Sequence, residues 1–74
     1  MSPRVRRMDA RDLESLLRKN GFMLVSQKGS HRKWRNPATR VQVIVPEHRG
    51  RILPTGTLYA ILKNSGIPEE EWRE

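Results

Sequence analysis

The order of the hydrophobic periodicities constrains the fold of this chain more than any other feature of its sequence. Apolar residues recur at helical spacing over residues 9–20 and again over residues 55–66. Three short segments between them, residues 22–28, 31–36 and 40–45, are typical of β-strands joined by short turns. Two amphipathic helices need an apolar surface to cover. We therefore expect an α+β domain in the order α-β-β-β-α, with both helices packed on one face of a three-stranded antiparallel sheet.

Local signals predict where the two helices begin and end. Asp9 precedes the first helix as an N-cap, and Asp12 stands three residues later at the spacing of a capping box. Gly21 follows the last apolar position, where a left-handed C-terminal residue is expected. Thr55 or Thr57 is predicted to cap the second helix.

The length of the chain and its lack of cysteine predict a single small domain. A chain of 74 residues without cysteine has neither disulfides nor a thiolate metal site to stabilise it, so its stability must come from packing. Residues 1–8 are basic and lack periodicity, and they are interpreted as a disordered arm ahead of a domain at residues 9–74. No apolar segment suits a signal peptide or a membrane span, which predicts a cytoplasmic protein.

The positive charge is concentrated in the middle of the sequence. The formal net charge is +7, and residues 21–36 contain no acidic side chain. They contribute four cations, Lys28, Arg32, Lys33 and Arg35. Such a local positive field attracts polyanions, nucleic acid first and an acidic protein second.

Strand alternation sorts the residues of the second strand onto two faces. It places His31, Lys33 and Arg35 on one face, and Arg32, Trp34 and Asn36 on the other. Gly29 and Ser30 stand just before this strand, at the mouth of a hairpin that a phosphate group could approach closely. The sequence thus predicts an imidazole flanked by cations at one end of the sheet.

From Asp9 to Trp72 the chain resembles the HicA family of mRNA interferases, the toxins of type II toxin–antitoxin pairs. The resemblance rests on the order and spacing of short motifs rather than on any one of them. These motifs are Gly21-Phe22, Gly29-Ser30-His31 with Trp34, Val45-Pro46-x-His48, and Gly56-Thr57-Leu58-x-x-Ile61-Leu62-Lys63-x-x-Gly66-Ile67. The basic extension at residues 1–8 departs from the family pattern, and Arg32-Lys33 falls where the family varies.

The resemblance implies a fold, an activity and a partner. The implied fold is that of the double-stranded-RNA-binding domain, and the implied activity is cleavage of mRNA with a catalytic histidine at the position of His31. An antitoxin of the HicB type is implied as the protein that neutralises the nuclease.

The chemistry of RNA gives His31 a role that requires no metal and no cofactor. RNA carries its own nucleophile, the 2′-OH, and free imidazole, with a pKa of about 6.5, exchanges protons readily near neutrality. Neighbouring cations can offset the charge that develops on the scissile phosphate. We therefore predict a metal-independent endoribonuclease with His31 as general acid or base. The predicted substrate-binding residues are Lys28, Gly29, Ser30, Arg32, Lys33 and Arg35.

The sequence leaves other interpretations of the same residues open. A histidine at the start of a strand more often makes a structural hydrogen bond than performs catalysis, and His48 is more readily a loop or contact residue than a second acid. Trp34 and Trp72 could stack on bases, but core positions are favoured for both. The alternative functions are a non-catalytic double-stranded-RNA-binding module and a protein-interaction subunit.

Overall fold

Two helices and a three-stranded antiparallel sheet form the part of the chain that the computed structural model describes, residues 4–47 and 50–74. The order is α1 (Ala10–Lys19), β1 (Met23–Lys28), β2 (His31–Arg35), β3 (Gln42–Pro46) and α2 (Thr55–Ser65), followed by a short 3-10 helix (Glu69–Glu71). The strands pair in the order β1-β2-β3, and both pairings are antiparallel. The predicted α+β class and α-β-β-β-α order are confirmed.

The first helix begins and ends at the residues that the sequence indicates. The Asp9 side chain accepts a hydrogen bond from the Asp12 N–H at 2.8 Å, and the Asp12 carboxylate accepts one from the Asp9 N–H at 3.1 Å. This pair is the predicted capping box. After the helix, Gly21 has a φ of 89°, a left-handed conformation that glycine adopts without strain.

The second helix begins differently from the prediction. Its N-cap is Pro54, and neither Thr55 nor Thr57 supplies a side-chain cap, so that prediction is wrong. Both threonines lie inside the first turn, whereas an N-cap residue must stand just before it. The end of the helix agrees with the apolar periodicity over residues 55–66, since its C-cap is Gly66, with a left-handed φ of 77°.

Both helices cover the same face of the sheet. The largest fully buried side chains come from α1, from β2 and β3, from α2 and from the C-terminal segment: Leu13, Leu17, Trp34, Val45, Leu58, Leu62 and Trp72. Trp72 folds back onto the domain as expected, and its Nε1–H donates to the Ile67 carbonyl at 2.9 Å. The opposite face of the sheet carries mostly exposed side chains, and neither helix covers it.

Residues 4–8, which the sequence predicts to be part of a disordered arm, pack against the rest of the chain. Val5 forms a β-bridge with Arg73, and the Leu53 N–H donates to the Met8 carbonyl at 2.9 Å. Met8 is only 3% exposed. Residues 4–8 therefore belong to the folded domain. Their hydrogen bonds and the burial of Met8 depend on residues 53 and 73, which are distant in sequence, so the local sequence could not predict them.

Candidate functional site

The face of the sheet opposite the helices carries His31 and three of the four predicted substrate-binding cations, Lys28, Lys33 and Arg35. In register, Lys28 lies opposite His31 and His31 opposite Pro46, while Lys33 lies between Ser26 and Ile44. Residues that are opposite each other in antiparallel strands have Cβ atoms about 4.5–5.5 Å apart, so these side chains are immediate neighbours. We call this surface the open face. Its exposed members are Met23, Ser26, Lys28, His31, Lys33, Arg35, Gln42 and Ile44.

A shallow depression in the open face brings the imidazole and two cations together. Its volume is about 510 Å³. It is lined by Ser26, Lys28, His31, Lys33 and Ile44. The side chains of His31 and Lys33 are exposed. Both side chains are therefore accessible from solvent on this face.

The turn before His31 has the geometry that keeps this end of the sheet accessible. Lys28 and His31 are paired across a two-residue loop, and Gly29, at its first position, has a φ of 59°. This matches a type II′ turn, which requires glycine at that position. Gly29 and Ser30 are both exposed, and a Cβ added at Gly29 would meet no atom of another part of the protein within 4 Å. The small turn thus leaves the His31 side chain unscreened.

Arg35 lies on the open face but away from the depression. It pairs with Met23 and Gln42, at the opposite end of β2 from His31. At a rise of about 3.3 Å per residue, four residues separate the two side chains by about 13 Å. Arg35 therefore lies too far from His31 to belong to the group of side chains around the depression.

Arg32 is the predicted substrate-binding residue that the structure places elsewhere. Its side chain lies on the helix-covered side of the sheet, with Nε 2.8 Å from Glu14 Oε2, although the N–H is not aimed well enough for a hydrogen bond. Its Nη1 lies 3.7 Å from Glu47 Oε2. The prediction that Arg32 binds substrate disagrees with this placement, because strand alternation turns residue 32 away from the face that holds His31.

Trp34 is a core residue rather than a base-stacking platform. It is 1% exposed, its Nε1–H donates to Glu14 Oε2 at 2.7 Å, and the Arg18 guanidinium lies 4.9 Å from its ring centroid. The carboxylate of Glu14 thus faces two groups from β2, the indole N–H of Trp34 and the guanidinium of Arg32. These contacts fix β2 against α1.

Sequence reasoning missed Ser26 and Ile44 as members of the site. Strand alternation could have identified Ile44, because its neighbours Val43 and Val45 are buried and it must therefore point to the other face. Ser26 joins the open face through a β-bulge in β1, where the register shifts between Leu24 and Ser26. A bulge displaces the alternation by one residue, and this segment contains no glycine that would have signalled it.

A second depression lies between the N-terminal segment and α1. Its volume is about 470 Å³, and its lining includes Arg6, Arg7 and Lys19 together with Asp12. Glu71 lies beside it, because Lys19 Nζ is 4.0 Å from Glu71 Oε1 and Arg6 donates to the Glu71 carbonyl. Nearby carboxylates offset these cations, whereas Lys28 and Lys33 have no acidic cross-strand neighbour on the open face.

The described part of the chain was searched for groups of metal-ligating side chains and for helices long and apolar enough to span a membrane. Over residues 4–47 and 50–74, no three His, Asp or Glu side chains are grouped in a way that could hold a metal ion. Within the same ranges, neither helix has the length and apolar character needed to cross a membrane. His48, the possible second acid, lies outside the described residues.

Comparison with known proteins identifies the family. The model of the HicA toxins of bacterial toxin–antitoxin systems matches residues 10–67. A search of the curated proteins finds no match. The matched range runs from the first residue of α1 to the residue after Gly66 and contains the whole sheet with its open face. Since it covers most of the 74 residues, the chain belongs to the HicA toxin family of bacterial toxin–antitoxin systems.

Proposed function

We propose that this toxin is a metal-independent endoribonuclease that cleaves mRNA on the open face, with His31 moving the proton. The observation that supports the proposal is the pairing of an exposed imidazole with cations: Lys28 is opposite His31, and Lys33 is two residues further along the same face. The cytoplasm, where mRNA is translated, is the location that this activity requires.

The proposed reaction uses the substrate's own hydroxyl as nucleophile. His31 accepts the proton of the 2′-OH while the 2′ oxygen forms a bond to phosphorus and the bond from phosphorus to the 5′ oxygen breaks. The departing 5′ oxygen takes up a proton from water or from a second side chain. The products are a 2′,3′-cyclic phosphate and a free 5′-OH. No oxidant, reductant or metal is needed for this balance.

Lys28 and Lys33 stabilise the charge that develops during this step. The phosphate gains negative charge as the 2′ oxygen attacks, and ammonium groups fixed beside it lower the energy of that state. Ser26 and Ile44 complete the depression and give the phosphate one polar and one apolar neighbour. Arg35 holds the strand further along by its charge.

The test of the proposed activity is incubation of the purified toxin with single-stranded RNA in the presence of EDTA. We expect cleavage products ending in a 2′,3′-cyclic phosphate, and no cleavage of an otherwise identical strand with 2′-deoxyribose at the cleaved nucleotides. Salt-dependent RNA binding without scission would instead support the double-stranded-RNA-binding module. Absence of both binding and scission would support the protein-interaction subunit.

Replacing Lys33 with alanine is expected to weaken RNA binding in a way that depends on salt. The slope of log Kobs against log salt concentration is negative, and loss of one phosphate contact should make it shallower by about 0.7 for single-stranded RNA. Filter binding over a series of salt concentrations measures this slope. Lys19→Ala is the matched control, because Lys19 carries the same charge on α1 with its side chain 75% exposed. Equal slopes for both variants would show that Lys33 does not contact RNA.

The toxin–antitoxin family implies an antitoxin partner, and we propose that a HicB-type antitoxin covers the open face. Two exposed apolar side chains on this face, Met23 and Ile44, are 61% and 44% exposed and lie among cations. A surface of this composition suits a partner with acidic and apolar groups. RNA and antitoxin should then compete, so saturating antitoxin should abolish RNA binding in the same filter assay.

A further inference from the structure

The side chain of Arg32 joins three separate parts of the chain beneath the sheet. Its Nε lies 2.8 Å from Glu14 in α1, and its Nη1 lies 3.7 Å from Glu47, the residue after β3. Glu47 is also tied through its backbone, because its N–H donates to the Ser30 carbonyl at 2.7 Å. Arg32 and Ser30 are the two sequence neighbours of His31.

We propose that Arg32 and Glu47 are positioning residues, which hold the end of β2 and its turn so that His31 is fixed on the open face. This inference rests on the proposed function of His31, and it replaces the predicted contact between Arg32 and RNA. Neither side chain needs to touch the substrate. Both act through the backbone of residues 30–32.

The arrangement fixes His31 from both sides along the chain. On one side, the hydrogen bond from Glu47 to Ser30 holds the turn against the end of β3. On the other side, the Arg32 side chain is 20% exposed and is anchored to the buried carboxylate of Glu14. The contact between the side chains of Arg32 and Glu47 links these two restraints. A general base requires this restraint, since a displacement of about 1 Å costs about 10²-fold in rate.

Arginine suits this role better than lysine would. Two different nitrogen atoms of the guanidinium approach the two carboxylates, Nε toward Glu14 and Nη1 toward Glu47. The planar fork of arginine presents donors in several fixed directions, whereas an ammonium group is a single point charge. The Arg32 side chain therefore contacts both α1 and the residue that follows β3.

The variant that tests the proposal is Glu47→Ala, because the Glu47 side chain is 37% exposed and its removal spares the buried contact between Arg32 and Glu14. We expect kcat for RNA cleavage to fall about tenfold or more, as looser placement of a catalytic group predicts. We expect KM to stay constant or fall, because loss of a negative charge favours RNA binding. Glu47→Gln, which retains the length and a polar end, should recover part of kcat.

Glu70→Ala is the matched control, since Glu70 is an exposed glutamate in the C-terminal 3-10 helix and its loss changes the net charge by the same amount. It should leave kcat unchanged. A fall in kcat of equal size in both variants, or no fall in Glu47→Ala, would overturn the proposal.

Amide hydrogen exchange tests the restraint without relying on activity. In Glu47→Ala, the amide of residue 47, which donates to Ser30, should exchange at least about fivefold faster than in the wild type, while the amides of α1 stay protected. Unchanged exchange at residue 47 would overturn the inference even if kcat fell. If the wild-type toxin cleaves no RNA, the proposed function fails, and the exchange measurement still decides whether Glu47 holds the turn.

Discussion

His31→Ala is expected to lower the rate of RNA cleavage by about 10²- to 10⁴-fold, the contribution that a positioned general acid or base usually makes. The imidazole is exposed on the open face, and its neighbours across the strands are Lys28 and Pro46. Alanine at this position keeps the strand and the turn but removes the proton acceptor. Single-turnover cleavage in EDTA, with the enzyme in excess, measures the effect on the chemical step.

The control for this variant is Gln42→Ala. Gln42 is exposed on the same face, opposite Arg35 and away from the depression. Its replacement should leave the cleavage rate within about twofold, as expected for an exposed side chain away from the reacting atoms. Circular dichroism should show that His31→Ala is folded, and filter binding should show that it retains affinity for RNA. A folded variant that still cleaves at the wild-type rate would refute His31 as the catalytic residue.

Trp34→Ala is expected to lower the free energy of unfolding by about 3–5 kcal/mol, the usual cost of removing a buried aromatic side chain. Trp34 is 1% exposed and packs between the sheet and α1. Small domains have a total stability of about 5–15 kcal/mol, so this loss removes a large part of it. Urea denaturation followed by circular dichroism measures the loss.

Trp34→Phe separates the indole hydrogen bond from the packing. The phenyl ring retains most of the apolar contact but leaves Glu14 without the N–H donor that lies 2.7 Å from Oε2. Hydrogen bonds to charged groups contribute about 1.5–3 kcal/mol, compared with about 0.5–1.5 kcal/mol for neutral pairs. Trp72→Phe is the matched control, because Trp72 is equally buried but donates to a neutral carbonyl. Equal destabilisation by the two variants would show that the charge of Glu14 adds nothing to its hydrogen bond with Trp34.

The order of helices and strands, the ends of α1 and the basic residues of the open face could be predicted from local patterns. Capping at Asp9 depends on residues three positions apart, and the left-handed residues Gly21 and Gly66 follow directly from the end of each apolar stripe. Alternation along β2 placed His31 and Lys33 on one face and Trp34 on the other. Each of these inferences involves residues within one or two turns of helix or within one strand, where the period of the backbone decides which side chains share a face.

Sequence alone determined that this chain is a basic α+β domain with an imidazole among cations, because those features follow from local periodicity and charge. The tertiary structure decided the partners of the remaining polar groups. Glu14 reaches Arg32 and Trp34 from another element, Glu47 meets the turn at Ser30, and residues 4–8 dock against the C-terminal segment. Such contacts join residues far apart in the chain. They depend on how the helices pack on the sheet, and no local pattern encodes that packing.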